Sequence, residues 1–134
     1  MYTAALGAAS CGQDQIETEE PASAIATRPA AHRLLGPNDF ADAIVEPARI
    51  TVNVHVPYEG EIPGTDLSIP FDQIAQQAVK LPLDRDTPLA IYCRSGPMSA
   101  QAAAELGRLG YADVVELDGG MRSWQESGRP LVNG

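Results

Sequence analysis

The spacing of apolar positions divides this chain into two unlike parts. Gln13 to Ala30 is rich in Gln, Glu, Thr, Ala and Pro and has few apolar side chains. Such a composition cannot bury enough surface to offset chain entropy. Residues 1–30 are therefore expected to form a disordered leader and linker, and residues 31–134 the folded domain. From His32 the pattern becomes periodic. His32-Arg33-Leu34-Leu35 reads as a first strand. Gly36-Pro37-Asn38 is a turn into a helix, with Asn38 the expected N-cap and Phe40, Ala43 and Ile44 on one face; Pro47 ends it. Ile50 to Val56 alternates strictly, with Ile50, Val52, Val54 and Val56 on one side and Thr51, Asn53 and His55 on the other, and reads as the second strand. Pro57 to Gly64 is a long turn, and Thr65 to Ile69 the third strand. Pro70 suits a first helical turn, and Ile74, Ala75 and Ala78 continue that helix towards Leu81. Leu89-Ala90-Ile91-Tyr92 is an unbroken apolar run and reads as a buried central strand. Ser99 to about Leu109 reads as the main helix, bracketed by Gly107 and Gly110. Asp113 to Leu117 is the last strand. Gly119-Gly120 opens a final helix that holds Trp124 and closes at Gly128.

Strands alternate with helices throughout. The fold class is therefore α/β, a central and mostly parallel sheet of about five strands flanked by helices on both faces. Ligands in such sheets bind at the carboxyl ends of strands, and Cys93 falls there. Composition adds exclusions. The net charge is −9 and the basic residues are scattered singly, which argues against nucleic acid as a partner. No apolar run approaches the roughly 18–20 residues that cross a bilayer. Neither a disulfide framework nor a zinc site is expected, because the two cysteines are Cys11 and Cys93, there is no Cys-x-x-Cys pair, and the two histidines are isolated.

Cys93-Arg94-Ser95-Gly96-Pro97-Met98 is a tight loop between a strand and a helix N-terminus. Backbone N–H groups and the positive end of a helix dipole favour an anion there, and so favour thiolate over thiol. Gly96 permits a turn that a Cβ would obstruct. Pro97 stiffens the loop, and Ser95 and Ser99 offer hydroxyls, Ser99 also as a helix cap. The pattern Cys-Arg-Ser-Gly-x-x-Ser after an apolar strand resembles the active-site loop of rhodanese-like sulfurtransferases. Gly60-Glu61-Ile62-Pro63-Gly64-Thr65 resembles that family's Gly-His-Ile-Pro-Gly-Ala turn. Asp118-Gly119-Gly120-Met121-Arg122-Ser123-Trp124, continuing to Gly128-Arg129-Pro130-Leu131, resembles its carboxyl-terminal Gly-Gly, Trp and Gly-x-Pro pattern. The resemblance runs from about His32 to Val132.

It implies a rhodanese-like fold for residues 31–134 and a sulfurtransferase that carries sulfane sulfur as a persulfide on the catalytic residue Cys93. The substrate-binding loop is then Arg94, Ser95, Gly96, Pro97, Met98 and Ser99. No cofactor beyond that covalent persulfide is implied. The expected partners are a small sulfur-donor anion or persulfide, and a thiol acceptor or sulfur-carrier protein. Asn53 and His55 stand where the family normally has Asp and Arg, and are expected to support the loops as a neutral hydrogen-bonding pair; the alternative reading makes His55 a base near the thiol. Met98 stands where many thiosulfate-using relatives have Arg or Lys, so thiosulfate:cyanide activity is expected to be weak. A second class stays open, a sulfur- or redox-sensing or binding module with little turnover. Cysteine phosphatase chemistry is disfavoured, because the sixth position after Cys93 is Ser99 rather than the Arg that clamps phosphate. Leu6-Gly7-Ala8-Ala9-Ser10-Cys11-Gly12 resembles a bacterial lipobox, with Ala8 in place of the usual Leu and no basic n-region before it. Two readings stand for it. One is a lipoprotein signal remnant with membrane attachment through Cys11 and an exported protein; the other is a plain tail on a cytoplasmic one.

Overall fold

The computed structural model describes residues 32–134. The readings of residues 1–30 and of Cys11 lie outside the described residues. The elements are β1 (His32–Leu35), α1 (Pro37–Ile44), β2 (Ile50–Asn53), β3 (Leu67–Ser68), β4 (Leu89–Tyr92), α2 (Pro97–Arg108), β5 (Val114–Leu117) and α3 (Gly120–Glu126). The strands form one sheet in the order β1-β5-β4-β2-β3. Every pairing is parallel, so the expected mostly parallel sheet is wholly so.

Central β4 is buried along its whole length, as an apolar run in a parallel sheet requires. Its side chains alternate between two cores. Leu89, Ile91 and Cys93 pack with Val52, Val54 and Val114 beneath Ala102, Ala103 and Leu106 of α2. Ala90 and Tyr92 pack on the other face with Val115, Leu117, Phe40 of α1, and Met121 and Trp124 of α3. Phe40 meets Tyr92 and Trp124 edge-on, with ring centroids 6.3 and 6.4 Å apart, the geometry that aromatic quadrupoles favour. The Trp124 indole N–H donates to the Pro130 carbonyl at 3.0 Å, as a core anchor with a polar edge must.

Four expected elements differ. β2 ends at Asn53 rather than Val56, because the Asn53 side chain accepts the His55 N–H at 2.9 Å and turns the chain out of the sheet. β3 shrinks to Leu67–Ser68. The helix expected from Pro70 to Leu81 is a series of turns ending in a short 3₁₀ segment, Ala78–Lys80. Ile74 and Leu81 are buried there, but Ala75 is exposed and Val79 is 92% exposed. Too little apolar surface faces the sheet to hold a regular helix. α1 is capped by Gly36 with Pro37 as its first residue, and Asn38 instead accepts from Arg129 at 3.0 Å.

Tyr92, unassigned from sequence, ties β4 to the long turn before β3. Its hydroxyl oxygen accepts the Ile62 N–H at 3.0 Å and lies 2.7 Å from Thr65 Oγ1. Thr65 gives its own proton to the Ile62 carbonyl, so Tyr92 donates to Thr65. Burial pushes the Tyr92 phenol up to about 12, above its ordinary 10. The neutral phenol is thus the form the fold favours. Its contribution is whole below pH 10 and is lost as pH rises towards about 12. Tyr92→Phe orphans a buried N–H and is expected to lower stability by about 1–3 kcal/mol in urea titrations at pH 7. The gap between wild type and variant should close as the titration is repeated from pH 10 upward.

Candidate active site

Cys93 follows β4 directly, so the parallel sheet delivers its sulfur to the carboxyl end of the central strand. Gly96 donates its N–H to Cys93 Sγ at 2.9 Å. Its φ of +134° belongs to glycine and lets the loop double back on the sulfur. α2 starts at the next residue, with Gly96 as its N-cap. Ser99, expected as the cap, lies inside the first turn instead. Its Oγ is 3.6 Å from Cys93 Sγ and 3.1 Å from the Gly96 carbonyl. Loop amides were expected to converge on the sulfur; among the described residues the Gly96 N–H alone is bonded to it.

The loop is held from below by α3. Met121 N–H donates to the Cys93 carbonyl at 2.8 Å, and Arg122 N–H to the Arg94 carbonyl at 3.0 Å. These are first-turn amides, which a helix leaves without internal partners. Pairing them with the loop's carbonyls removes those oxygens from the sulfur's surroundings. Gly120 makes the approach feasible. A Cβ there would stand 2.5 Å from the Arg94 carbonyl group and from the Cys93 oxygen.

Cys93 is 1% exposed, yet it lines a cavity of about 150 Å³ together with His55, Arg94, Ser95, Pro97 and Met98. Met98 brings a thioether to this wall where a cation was the alternative. Arg94 is engaged rather than free. Its Nη1 donates to Glu59 Oε1 at 3.1 Å, and His55 Nε2 lies 3.2 Å from the same oxygen. Asn53 is fully buried, donates to the Gly60 carbonyl at 3.1 Å and accepts from the His55 backbone. Asn53 and His55 meet through the His55 backbone N–H, and both side chains reach the turn that carries Glu59. Glu59 lies 42% exposed across the rim of the site.

Sequence reasoning also missed Glu116 and His32. Glu116 Oε2 accepts the Ser99 hydroxyl, and its Oε1 lies 2.7 Å from His32 Nε2. Glu116 is 2% exposed. The signal was present, an acid within the otherwise apolar run Val114-Val115-Glu116-Leu117. Among the described residues no cluster of His, Cys, Asp and Glu is arranged to hold a metal.

Comparison with known proteins agrees with this geometry. The model of the family described as rhodanese-like domain matches residues 24–127. A sulfurtransferase of Allochromatium vinosum is 40% identical over 86 residues, covering 62% of this chain and 78% of that protein. A thiosulfate sulfurtransferase, GlpE, of Pseudomonas syringae is 32% identical over 89 residues, covering 66% of this chain and 84% of its own length. Among solved structures, a rhodanese-related protein of Thermoplasma volcanium superposes with a TM-score of 0.63 at 30% identity, over 76% of this chain and 99% of that one.

The dependence of the loop on α3 can be measured. Gly120→Ala is expected to cost at least about 2 kcal/mol in thermal or urea unfolding. Gly64→Ala is the comparison, since Gly64 has a more extreme φ of +94° but nothing within 4 Å of a Cβ. The larger loss should fall on Gly120, and its variant should also change the alkylation rate of Cys93.

Proposed function

We propose, since the chain belongs to the rhodanese-like domain family, that it is a sulfurtransferase acting through a persulfide on Cys93. The observation that carries this reading is the Gly96 N–H aimed at Cys93 Sγ at 2.9 Å, at the head of the central strand. An amide in that place offers a hydrogen bond to a sulfur anion and gives a neutral thiol much less.

In the first step the Cys93 thiolate attacks the sulfane sulfur of a donor R–S–SH. The new sulfur–sulfur bond forms as the old one breaks, and R–S⁻ leaves with the electron pair. In the second step an acceptor nucleophile attacks the outer sulfur of the Cys93 persulfide and restores the thiolate. The outer atom of the persulfide extends towards the cavity lined by His55, Arg94, Ser95 and Met98. Apart from the acceptor and the donor, nothing is consumed.

A persulfide or polysulfide is the better donor for this wall. Thiosulfate brings two negative charges, Met98 offers it none in return, and the Arg94 guanidinium is already paired with Glu59. A thiol or a sulfur-carrier protein is the matching acceptor. A second reading, a sulfur-sensing or binding module with little turnover, is favoured by the near-complete burial of Cys93 at 1% exposure.

Incubation with polysulfide should add about 32 Da, one sulfur atom, in intact mass spectra. The gain should vanish in Cys93→Ser. Turnover with cyanide or a dithiol then separates enzyme from carrier. Polysulfide should load the site at least about tenfold faster than thiosulfate at equal concentration, because only the latter needs a second cation. Equal rates for the two donors would reject the assignment of donor class.

A further inference from the structure

The groups behind the sulfur form a second, separate arrangement. Parallel register sets Glu116 of β5 beside Ile91 of β4. Cys93 lies two residues beyond Ile91, on the same side of the pleat. Glu116 and Cys93 therefore share the α2 face, and Ser99 reaches down between them from the first turn of α2. The Ser99 hydroxyl has two acceptors within reach, the Glu116 carboxylate and the Gly96 carbonyl at 3.1 Å, and its oxygen in turn accepts from Cys93 Sγ at 3.6 Å. It has one proton to give. An ionised carboxylate buried at 2% exposure is the stronger acceptor of the two. Ser99 then shows the sulfur a lone pair, which fits an S–H and not a thiolate. The other charged and titratable groups nearby are few. β1 supplies His32, half-exposed and 2.7 Å from Glu116 Oε1. The loop and the turn before β3 supply Arg94, His55 and Glu59 on the cavity side.

We propose that Glu116 is a positioning residue that restrains Cys93. As a carboxylate it withholds the Ser99 hydroxyl from the sulfur and sets a buried negative charge behind it. A neutral group in the same place turns Ser99 around, so that its O–H points to the ionised sulfur. His32 is the solvent-facing partner that holds the other carboxylate oxygen. Ser99 touches the reacting atom and transmits the effect. The site thus has an amide that favours the sulfur anion, from Gly96, and a carboxylate that opposes it, from Glu116. Such a balance keeps the thiol quiet towards adventitious electrophiles while a bound donor can still react.

This inference builds on the reading of Cys93 as the sulfur carrier, but its test needs no sulfur transfer. Iodoacetamide alkylation of Cys93 in the full chain is followed by peptide mass from pH 5.5 to 9, which separates it from Cys11. Thermal melts establish that each variant is folded. Glu116→Gln keeps the shape and gives Ser99 an N–H donor. It is expected to speed alkylation about tenfold at pH 6.5 and to move the rate profile to lower pH. Ser99→Ala decides the matter if Glu116→Gln does not fold. It is expected to react at least as fast as wild type, since here the hydroxyl favours the neutral thiol. A folded Glu116→Gln within twofold of wild type would overturn the proposal. So would a tenfold slower Ser99→Ala, the mark of a hydroxyl that donates to the sulfur anion. Acceleration in a chain that never gains sulfur would leave the restraint standing and reject the sulfur-transfer reading.

Discussion

The contact on which this site depends lies between backbone groups. The first amides of α3 take the carbonyls of Cys93 and Arg94. A strand that ends over a helix must dispose of its last oxygens, since unpaired buried carbonyls are costly. Here they are handed to a helix terminus that has amides to spare. The loop is thereby oriented with oxygens down and the Gly96 N–H towards the sulfur. Because the arrangement needs two backbones in near contact, residue 120 cannot carry a side chain. The Gly-Gly pair and the cysteine, 26 residues apart in the chain from Cys93 to Gly119, belong to one structural unit.

That unit explains why so much of the fold was legible. β1 and β4 fall on the residues expected, and β5 and α2 differ from expectation by a residue or two at their ends. These are segments whose apolar spacing matches their burial. The failures lie where local pattern and tertiary surface disagree. The Pro70–Leu81 segment has helical spacing at Ile74 and Ala78, but the sheet edge beside β3 is only two residues wide. Propensity without a surface to cover does not make a helix. β2 is three residues shorter than the pattern predicts, because alternation continues past Asn53 while the Asn53 side chain caps the strand. A side chain that bonds its own backbone competes with the ladder, and periodicity does not register it.

The candidate site was legible in a different way. The loop residues were marked by order along the chain, and the fold brings Cys93, Arg94, Ser95, Met98 and His55 to one cavity. The missed groups, Glu59, Glu116 and His32, come from three other segments. Each looks ordinary in sequence. An acid in a run of four strand residues reads as a solvent-facing position until both faces of the strand are found buried. His32 opens an edge strand and reads as polar trim. Only the register of β1 and β5 puts it within reach of Glu116.

The two carboxylates that bond the neighbours of the sulfur, Glu59 through Arg94 and Glu116 through Ser99, act through different physics. Glu59 is exposed, and its pairing with Arg94 is of the kind that solvent screens and that contributes little to stability. It can still decide which ligands meet a bare guanidinium, since a donor must displace it before Arg94 is free. Glu116 is buried, so its charge is felt at close range and little screened. A protein evolved only to make its cysteine as nucleophilic as the fold allows would not put an acid there, because a second anion beside a thiolate raises the energy of both. Its presence makes sense if the sulfur must be both protected and available. The amide of Gly96 is fixed by the backbone, whereas the opposing carboxylate sits on a side chain whose partner, His32, reaches solvent. The adjustable half of the balance is therefore the Glu116–His32 pair, and the constant half is the loop geometry that α3 enforces.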